Sequence, residues 1–229
     1  MASSPRTRPA LEAAIFDMDG LLVDSEPLWH EAEIAVFGRY GVALSAELCR
    51  TTKGMFVGEV ARHWHRRSPW EGPGPDDVAA EIVDAMAVLL ADRVVLKPGV
   101  RAAIDACAAR LGRLAVASSS SLRLIEVVLD RFGLRGEFTV VHSAEFERAG
   151  KPDPAVFLTT AAMLGVAPAA CVVFEDSPAG VAAALAAGMR CVAVPEPDAV
   201  VDGDAFAGAD AVLGSLEELD DAVWRAVEQ

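Results

Sequence analysis

The chain has 229 residues, of which 53% are hydrophobic and 24% are charged, and its formal net charge is −14. This length and composition supply enough apolar surface for a packed core, which excludes a disordered protein. The acidic balance disfavours nucleic-acid and anionic-membrane partners, because both are negatively charged. No stretch reaches the ~18 consecutive apolar residues of a membrane-spanning helix. We therefore predict a cytoplasmic protein that binds neither nucleic acid nor membrane.

The amino-terminal residues 1–10 are polar and contain arginine and proline, without the apolar core of a signal peptide. We predict a disordered tail there. The four cysteines are too widely spaced for a zinc site or a disulfide framework, so buried reduced thiols are expected. They are Cys49, Cys107, Cys171 and Cys191.

The first regular element is a short apolar run over residues 13–17, which is typical of a buried strand. It leads into two carboxylates one residue apart, Asp17 and Asp19, and then Gly20. Ligands of open parallel sheets bind outside the carboxyl ends of the strands, so both carboxylates are predicted at the mouth of a crevice. A bound cation, or protonation of one carboxylate, would relieve their repulsion. A simple polar turn with Gly20 in a left-handed conformation is the alternative.

Between residues 28 and 93 the pattern is helical, and no strand pattern is present. Helices are predicted over residues 28–40, from Ser45, over residues 56–66 and over residues 75–92, with a loop at residues 68–74. This part is predicted to be an inserted all-α helical bundle, a cap that spans residues 28–96.

From residue 97 onward, predicted helices alternate with short apolar strands. The helices cover residues 100–111, 122–132, 154–164 and 178–187, and the strands cover residues 114–117, 138–141, 171–174, 191–194 and 211–213. This alternation indicates a parallel sheet with crossover helices, buried on both faces. The predicted fold is therefore α/β: a Rossmann-like, doubly wound core from residues 11–27 and 97–229, interrupted by the helical cap.

Polar side chains follow four of the predicted strands and could converge on one crevice. They are Asp17 and Asp19, Ser118 and Ser119, Lys151, and Glu175 and Asp176. Together they supply what phosphoryl transfer requires: a carboxylate nucleophile, oxygen ligands for a hard cation, and donors for the phosphoryl oxygens. Taken singly, each has a simpler interpretation, such as helix capping by the serines or a solvated loop lysine.

These motifs resemble the four signature motifs of the haloacid dehalogenase superfamily. The resemblance rests on Asp17-Met18-Asp19-Gly20, Ser118, Lys151 and Glu175-Asp176, and it extends over most of residues 15–195. The chain is most similar to the β-phosphoglucomutase-like branch. Within that branch, residues 64–73 resemble the cap of the hexitol phosphatase and 2-deoxyglucose-6-phosphatase group.

The resemblance implies a magnesium-dependent phosphatase with defined carboxylate roles. Asp17 would attack phosphorus and form an aspartyl phosphate, and Asp19 would protonate the leaving alcohol and then activate water. Mg²⁺ would be held by Asp17, by the backbone carbonyl of Asp19 and by Asp176. Glu175 would be a further metal ligand or would support the ligands.

The resemblance also implies how the phosphoryl group is held. Ser118 would contact its oxygens together with backbone amides near Met18 and Ser119, and Lys151 would neutralise both the phosphoryl group and the nucleophile. The expected substrate is a small phosphorylated metabolite, a sugar or polyol phosphate, and the expected assembly is a monomer or weak dimer.

A hexose-phosphate mutase is the alternative enzyme. Mutases of this branch carry a cap arginine for a second phosphate, but Lys53–Gly58 contains none, and Trp29 stands where they have a histidine. Both departures favour a phosphatase and leave the sugar specificity open. The tryptophans Trp29, Trp64 and Trp70 are expected to pack within the cap rather than stack on a sugar.

A non-catalytic phosphate-sensing module, such as a receiver domain, is the alternative of another class. Receiver domains combine an acidic cluster and a lysine on a similar sheet. Their phosphorylated aspartate follows a later strand, however, and they lack a helical insertion.

Overall fold

A computed structural model describes residues 8–196 and 205–229. Of the predicted tail, residues 1–7 lie outside the described residues. The residues that follow contact the core: Arg8 pairs with Asp210, and the carbonyl of Pro9 accepts a 2.7 Å hydrogen bond from Arg190.

The described residues form strands, helices and four short 3-10 turns in the following order. The elements are β1 (Ala13–Phe16), β2 (Val23–Asp24), α1 (Glu26–Arg39), α2 (Ala46–Arg50), α3 (Val57–Arg67), α4 (Pro75–Arg93), β3 (Val95–Leu96), α5 (Val100–Leu111), β4 (Arg113–Ser118), α6 (Leu122–Phe132), β5 (Val140–Ser143), α7 (Ala155–Leu164), β6 (Cys171–Glu175), α8 (Pro178–Ala186), β7 (Arg190–Ala193), β8 (Ala211–Val212) and α9 (Asp221–Glu228).

Six strands form one parallel sheet in the order β5-β4-β1-β6-β7-β8. The chain runs from β1 outward to β4 and β5, and then returns to the other side of β1 with β6. The carboxyl ends of β4, β1 and β6 therefore adjoin at the point where the winding reverses, which is where ligands bind in such sheets. The predicted doubly wound α/β fold is confirmed.

Both faces of the sheet are covered, so its strands are apolar throughout. Phe16 packs into the apolar cluster shared with α5, α6 and the cap helices, and its ring stacks on Phe174 with the centroids 4.8 Å apart. Ile15 faces the opposite cluster, which includes Phe157 of α7 and Val181 of α8. Alternate residues of β1 therefore pack into the two apolar clusters on opposite faces of the sheet, and this packing fixes the register of the strand.

Helices α1–α4 form the inserted helical segment. The two short strands that flank this segment, β2 before it and β3 after it, pair with each other. They are antiparallel, with Val23 opposite Leu96 and Asp24 opposite Val95. The sequence did not predict this ribbon, since two residues are too few to show a strand period. The ribbon therefore brings the two ends of the helical segment together.

The fifth strand of the sheet differs from its prediction. Residues 138–141 were predicted, but β5 is Val140–Ser143; Phe138 precedes the strand and packs edge-on against Phe16. The strand continues through two buried polar residues whose side chains have hydrogen-bond or ion-pair partners. Ser143 Oγ donates to the carbonyl of Ser120 at 2.7 Å, and His142 Nε2 lies 2.7 Å from Glu147 Oε1.

All four cysteines are buried free thiols, as predicted. Within residues 8–196 and 205–229, no helix has the length and apolarity needed to cross a membrane.

One carboxyl group of the cap is buried and has no ion-pair partner among the described residues. Glu33 lies in α1 and is 7% exposed, and its Oε2 atom has no hydrogen-bond partner in the described part of the chain. Burial raises its pKa to about 7; the hydrogen bond with Cys49 lowers this pKa, and the charge of Glu26 raises it.

We expect this group to make stability pH-dependent. Its pKa is about 7 in the folded state against 4.5 for an ordinary glutamate carboxyl, so the folded state binds more protons between these values and loses stability as pH rises. Between about pH 5 and about pH 8, the wild type should lose on the order of 2 kcal/mol of unfolding free energy relative to Glu33→Gln. Urea denaturation at both pH values measures this difference.

The matched control for that measurement is Glu31→Gln on the same helix. The Glu31 side chain is 48% exposed and pairs with Arg93. Its substitution should therefore leave the pH dependence of the unfolding free energy the same as in the wild type. Parallel pH profiles for the wild type and Glu33→Gln would contradict the prediction.

Candidate active site

The candidate site lies at the carboxyl ends of β1, β4 and β6. Asp17 follows β1, Ser118 ends β4, and Glu175 and Asp176 end and follow β6. Lys151 reaches the same place from the segment between β5 and α7. The structure therefore gathers residues that are up to 159 positions apart into one crevice, at the reversal point of the sheet.

Lys151 is the centre of the buried charges. Its Nζ lies 2.6 Å from Asp17 Oδ1 and 2.5 Å from Glu175 Oε1, and it also donates to the carbonyl of Ala117 at 3.3 Å. Burial lowers the pKa of Lys151, but the charges of Asp17 and Glu175 outweigh this effect and the pKa is raised. Lys151 is therefore a permanent cation beside Asp17.

The carboxylates at the site outnumber this cation. Burial raises the pKa of Asp17; Lys151 lowers it, and Glu175 and Asp19 raise it. Burial likewise raises the pKa of Asp176, and the charges of Glu175 and Asp17 add to that rise. The arrangement thus carries an excess of buried negative charge that a bound cation would relieve.

Asp19 has a different environment, composed of uncharged donors. Its Oδ1 accepts hydrogen bonds from Ser25 Oγ at 2.5 Å and Trp29 Nε1 at 3.1 Å. Its Oδ2 accepts from Ser120 Oγ at 2.6 Å and Ser118 Oγ at 3.5 Å. One oxygen is thus held from the hinge and cap, and the other from the core loop after β4, which fixes the carboxyl group from both sides.

Three of these donors were not among the residues predicted for the site. The hydroxyl that contacts Asp19 is that of Ser120 and not that of Ser119. Both serines follow one another at the end of β4, and the sequence does not show which of their side chains faces Asp19. Ser25 was predicted only as part of the first core segment, residues 11–27. Trp29 was expected to pack within the cap, and its hinge position was the available signal for its indole contact with Asp19.

The other two cap tryptophans lie away from Asp19 and pack within the cap, as predicted. Trp70 lies against Phe37 and His65, and its Nε1 donates to the carbonyl of Pro73 at 2.9 Å. Trp64 is buried and contacts His63 edge-on.

Glu175 is fully buried and uses both carboxylate oxygens. Oε1 accepts from Lys151, and Oε2 accepts from the backbone N–H and hydroxyl of Ser177 at 3.1 and 3.0 Å. Ser177 Oγ also caps α8 by accepting from the N–H of Gly180 at 3.0 Å. Glu175 therefore links the cation of the site to the amino terminus of α8.

Two glycines permit the close approach of the acidic side chains. A Cβ on Gly20, whose φ is +80°, would lie 2.2 Å from Asp176 Oδ2. A Cβ on Gly180 would lie 1.8 Å from the carboxyl carbon of Glu175. Any larger residue at either position would displace an acidic side chain of the site.

With the fold and the site described, the chain can be compared with known proteins. The family model of haloacid dehalogenase-like hydrolases matches residues 11–188. The chain belongs to this family of hydrolases, which confirms the family and the hydrolase class predicted from its motifs.

Individual relatives are similar over nearly the whole chain. Hexitol phosphatase B of Escherichia coli K12 is 43% identical over 219 residues, covering 95% of this chain and 96% of that protein. Fructose-1-phosphate phosphatase YqaB of the same organism is 34% identical over 182 residues, covering 79% of this chain and 94% of that protein. The crystal structure of CbbY from Rhodobacter sphaeroides in complex with phosphate superimposes with a TM-score of 0.82 at 30% identity, covering 96% and 100% of the two chains.

Proposed function

We propose that this hydrolase is a magnesium-dependent phosphatase that acts on a small sugar or polyol phosphate through an aspartyl-phosphate intermediate. The observation that carries the proposal is the pairing of Asp17 with the buried cation of Lys151, beside an Asp19 whose hydrogen-bond donors among the described residues are all uncharged. This arrangement supports a role as nucleophile for the first carboxylate and a role as proton carrier for the second. Relatives named as hexitol and fructose-1-phosphate phosphatases support the choice of substrate.

In the first step, a carboxylate oxygen of Asp17 attacks phosphorus and forms a new P–O bond. The bond from phosphorus to the ester oxygen breaks, and this oxygen takes a proton from Asp19 and leaves as an alcohol. Lys151 and Ser118 would donate to the phosphoryl oxygens, where charge accumulates in the transition state.

In the second step, water attacks the aspartyl phosphate. Asp19, now a carboxylate, takes a proton from this water while the bond between phosphorus and the Asp17 oxygen breaks. Inorganic phosphate leaves, Asp17 is again a carboxylate, and Asp19 is again protonated, so the cycle is balanced.

The residues present fit a magnesium ion, although the described residues contain no group of three His, Cys, Asp or Glu side chains in a ligand arrangement. The carboxylates of Asp17 and Asp176, with the backbone carbonyl of Asp19, offer the oxygen ligands that Mg²⁺ prefers. Glu175 has partners on both oxygens, so it would support Lys151 rather than ligate the metal. When bound, Mg²⁺ would neutralise charge on the transferring phosphoryl group.

The mutase and the phosphate-sensing module are the alternatives. Of the described cap residues, Trp29 replaces the mutase histidine with an indole, which donates a hydrogen bond but carries no titratable proton. The arrangement of Asp19 favours turnover over sensing, because a sensor needs no proton carrier for a leaving alcohol. Cytoplasmic location, a monomeric or weakly dimeric state, and the division into core and cap stay predictions.

Phosphate release from a panel of sugar and polyol phosphates, with Mg²⁺ and with EDTA, tests the proposal. We expect Mg²⁺-dependent release from at least one monophosphate and none from Asp17→Asn. Conversion of β-glucose 1-phosphate to glucose 6-phosphate with a bisphosphate primer would establish the mutase instead. Stable phosphorylation without turnover would establish a sensing module.

We expect Trp29→Phe to lower kcat by a factor that depends on the leaving group of the substrate. The substitution removes one donor to Asp19, so proton delivery should suffer with an alkyl phosphate, whose alkoxide must be protonated as it leaves. The kcat for an alkyl phosphate should fall by about 10-fold, whereas p-nitrophenyl phosphate, with its acidic phenol, should change less than about 2-fold.

The matched control is Trp70→Phe. It removes an indole hydrogen bond within the cap, away from Asp19, and should leave both rates near those of the wild type. An equal fall on both substrates with Trp29→Phe would show that the indole serves packing alone.

A further inference from the structure

A glycine beside the lysine of the candidate site is required by space and not by its backbone. Gly150 precedes Lys151 and is not among the described glycines with a positive φ, so its conformation does not require glycine. A Cβ built on Gly150 would, however, lie 2.7 Å from both Cε2 and Cζ of Phe56, and 3.4 Å from another ring atom, Cδ2. Carbon atoms pack best at about 3.5–4.0 Å. The ring of Phe56 therefore fills the space of the side chain that Gly150 lacks.

Phe56 belongs to the inserted helical segment, and its side chain packs on the core. It directly precedes α3, and it is partly buried against the apolar cluster that contains Phe157 of α7 and Val181 of α8. The Nζ atom of Lys151 lies 4.9 Å from the centroid of the Phe157 ring. One apolar cluster of the core thus contacts both the cap aromatic and the lysine of the candidate site.

A second contact holds the residues that lead to Phe56. Lys53, three residues earlier, lies with its Nζ 2.6 Å from Oε2 of Glu196, which follows β7. Lys151, beside the first contact, donates to a carbonyl of β4, and β1 and β6 lie between β4 and β7 in the sheet. Burial raises the pKa of Asp176, and the charge of Lys53 opposes that rise. The cap segment therefore borders the site and is attached on two sides of it.

We infer that Phe56 is a positioning residue, whose ring, packed on Gly150, fixes the segment of Lys151 relative to the cap. The inference rests on the proposed function and deepens it, because Lys151 would neutralise the nucleophile and the phosphoryl group. Phe56 would act through Gly150 and Lys151 and not on the reacting atoms. A displacement of about 1 Å in a catalytic arrangement can cost about 100-fold in rate, so a packing contact of this kind can control turnover.

Adding the missing methyl group tests the contact. Gly150→Ala places a carbon 2.7 Å from two ring atoms, so the ring and the Lys151 segment must separate. We expect kcat to fall by about 10-fold or more for p-nitrophenyl phosphate and for a hexitol monophosphate, because Lys151 stabilises charge that develops in the transition state. A rise in KM with unchanged kcat would overturn the inference.

A second substitution shows whether the ring is the group that the methyl displaces. A leucine side chain ends at its δ carbons, so Phe56→Leu removes the two atoms at 2.7 Å and keeps a carbon near the position of Cδ2. Gly150→Ala combined with Phe56→Leu should recover kcat to within about 3-fold of Phe56→Leu alone. If the double variant were as impaired as Gly150→Ala, the methyl group would act on Lys151 directly, and the inference would fail.

The matched control is Gly136→Ala. A Cβ on Gly136, which also lacks a positive φ, has no neighbour within 4 Å among the described residues, so this methyl group should change neither kcat nor KM.

Hydrogen–deuterium exchange of residues 53–60 gives a readout that does not depend on activity. Exchange should be faster in Gly150→Ala than in the wild type and should return toward the rate of Phe56→Leu in the double variant. If the wild type hydrolyses no phosphate ester with Mg²⁺, the proposed function fails, and the exchange still tests the contact. If the wild type is active and Gly150→Ala changes neither kcat nor exchange, the inference fails while the function stands. Should Gly150→Ala alone not fold, Phe56→Leu would restore folding only if the ring is the group in conflict.

Discussion

Asp17→Asn should lower kcat by on the order of 10⁴-fold or more, because the amide cannot attack phosphorus and no second group replaces a lost nucleophile. Asp17 Oδ1 lies against Lys151, so the neighbouring cation would remain in place beside an inert side chain. Phosphate release under single-turnover and steady-state conditions measures the loss. Residual activity within about 10-fold of the wild type would show that another group carries the reaction.

The same variant should remain folded. Burial, Glu175 and Asp19 all make the charge of Asp17 costly, so removing it relieves repulsion, while Lys151 loses one partner and keeps Glu175 and the carbonyl of Ala117. These effects oppose each other, and a melting temperature near that of the wild type is expected. If the variant showed no cooperative thermal unfolding transition, its loss of activity would result from unfolding and not from the missing nucleophile.

Lys151→Met should produce the largest loss of stability among single substitutions at the site. It leaves Asp17 and Glu175 buried without their cation, at 5% and 0% exposure. Breaking a buried ion pair by removing one partner costs about 3–5 kcal/mol, and we expect a fall of that size in the free energy of unfolding. Urea denaturation measures it.

A second substitution shows whether the cost arises from the unpaired carboxylates. Glu175→Gln combined with Lys151→Met removes one buried charge and should recover part of the loss, which a double-mutant cycle would quantify. Lys97→Met is the control: its partner Glu196 lies 3.9 Å away near the surface, and the cost should stay below about 1 kcal/mol. Equal costs at positions 97 and 151 would contradict this account.

The repeating elements of the fold could be predicted because their signals are local. The apolar runs at β1, β4, β6 and β7 marked strands covered on both faces, and helices α5 and α6 have the predicted bounds. The ribbon of β2 and β3 could not be predicted in this way. Its two strands are each two residues long and lie about 70 residues apart, so only the folded chain shows that they pair.

The candidate site likewise contains residues that local motifs predict and contacts that only the folded chain shows. Asp17, Lys151 and Glu175 were predicted to converge because they follow strands of one parallel sheet, and the structure brings their charged atoms within 2.6 Å. Ser120 and Trp29 were missed as partners of Asp19. Their contacts depend on the turn after β4 and on the angle at which α1 leaves the hinge, and neither is encoded in a short motif.

By itself, the sequence determined which acidic and basic side chains follow the strands at one edge of the sheet. Strand ends in a parallel sheet share one edge, so the positions of Asp17, Lys151 and Asp176 along the chain were sufficient. Only the tertiary structure decided how the groups are paired. In it, Lys151 pairs with two carboxylates and Asp19 accepts hydrogen bonds from neutral donors. Within residues 8–196 and 205–229, one oxygen of Glu33 has no hydrogen-bond partner. Such pairings depend on distances of a few ångströms between segments remote in sequence, which the packing of cap on core sets.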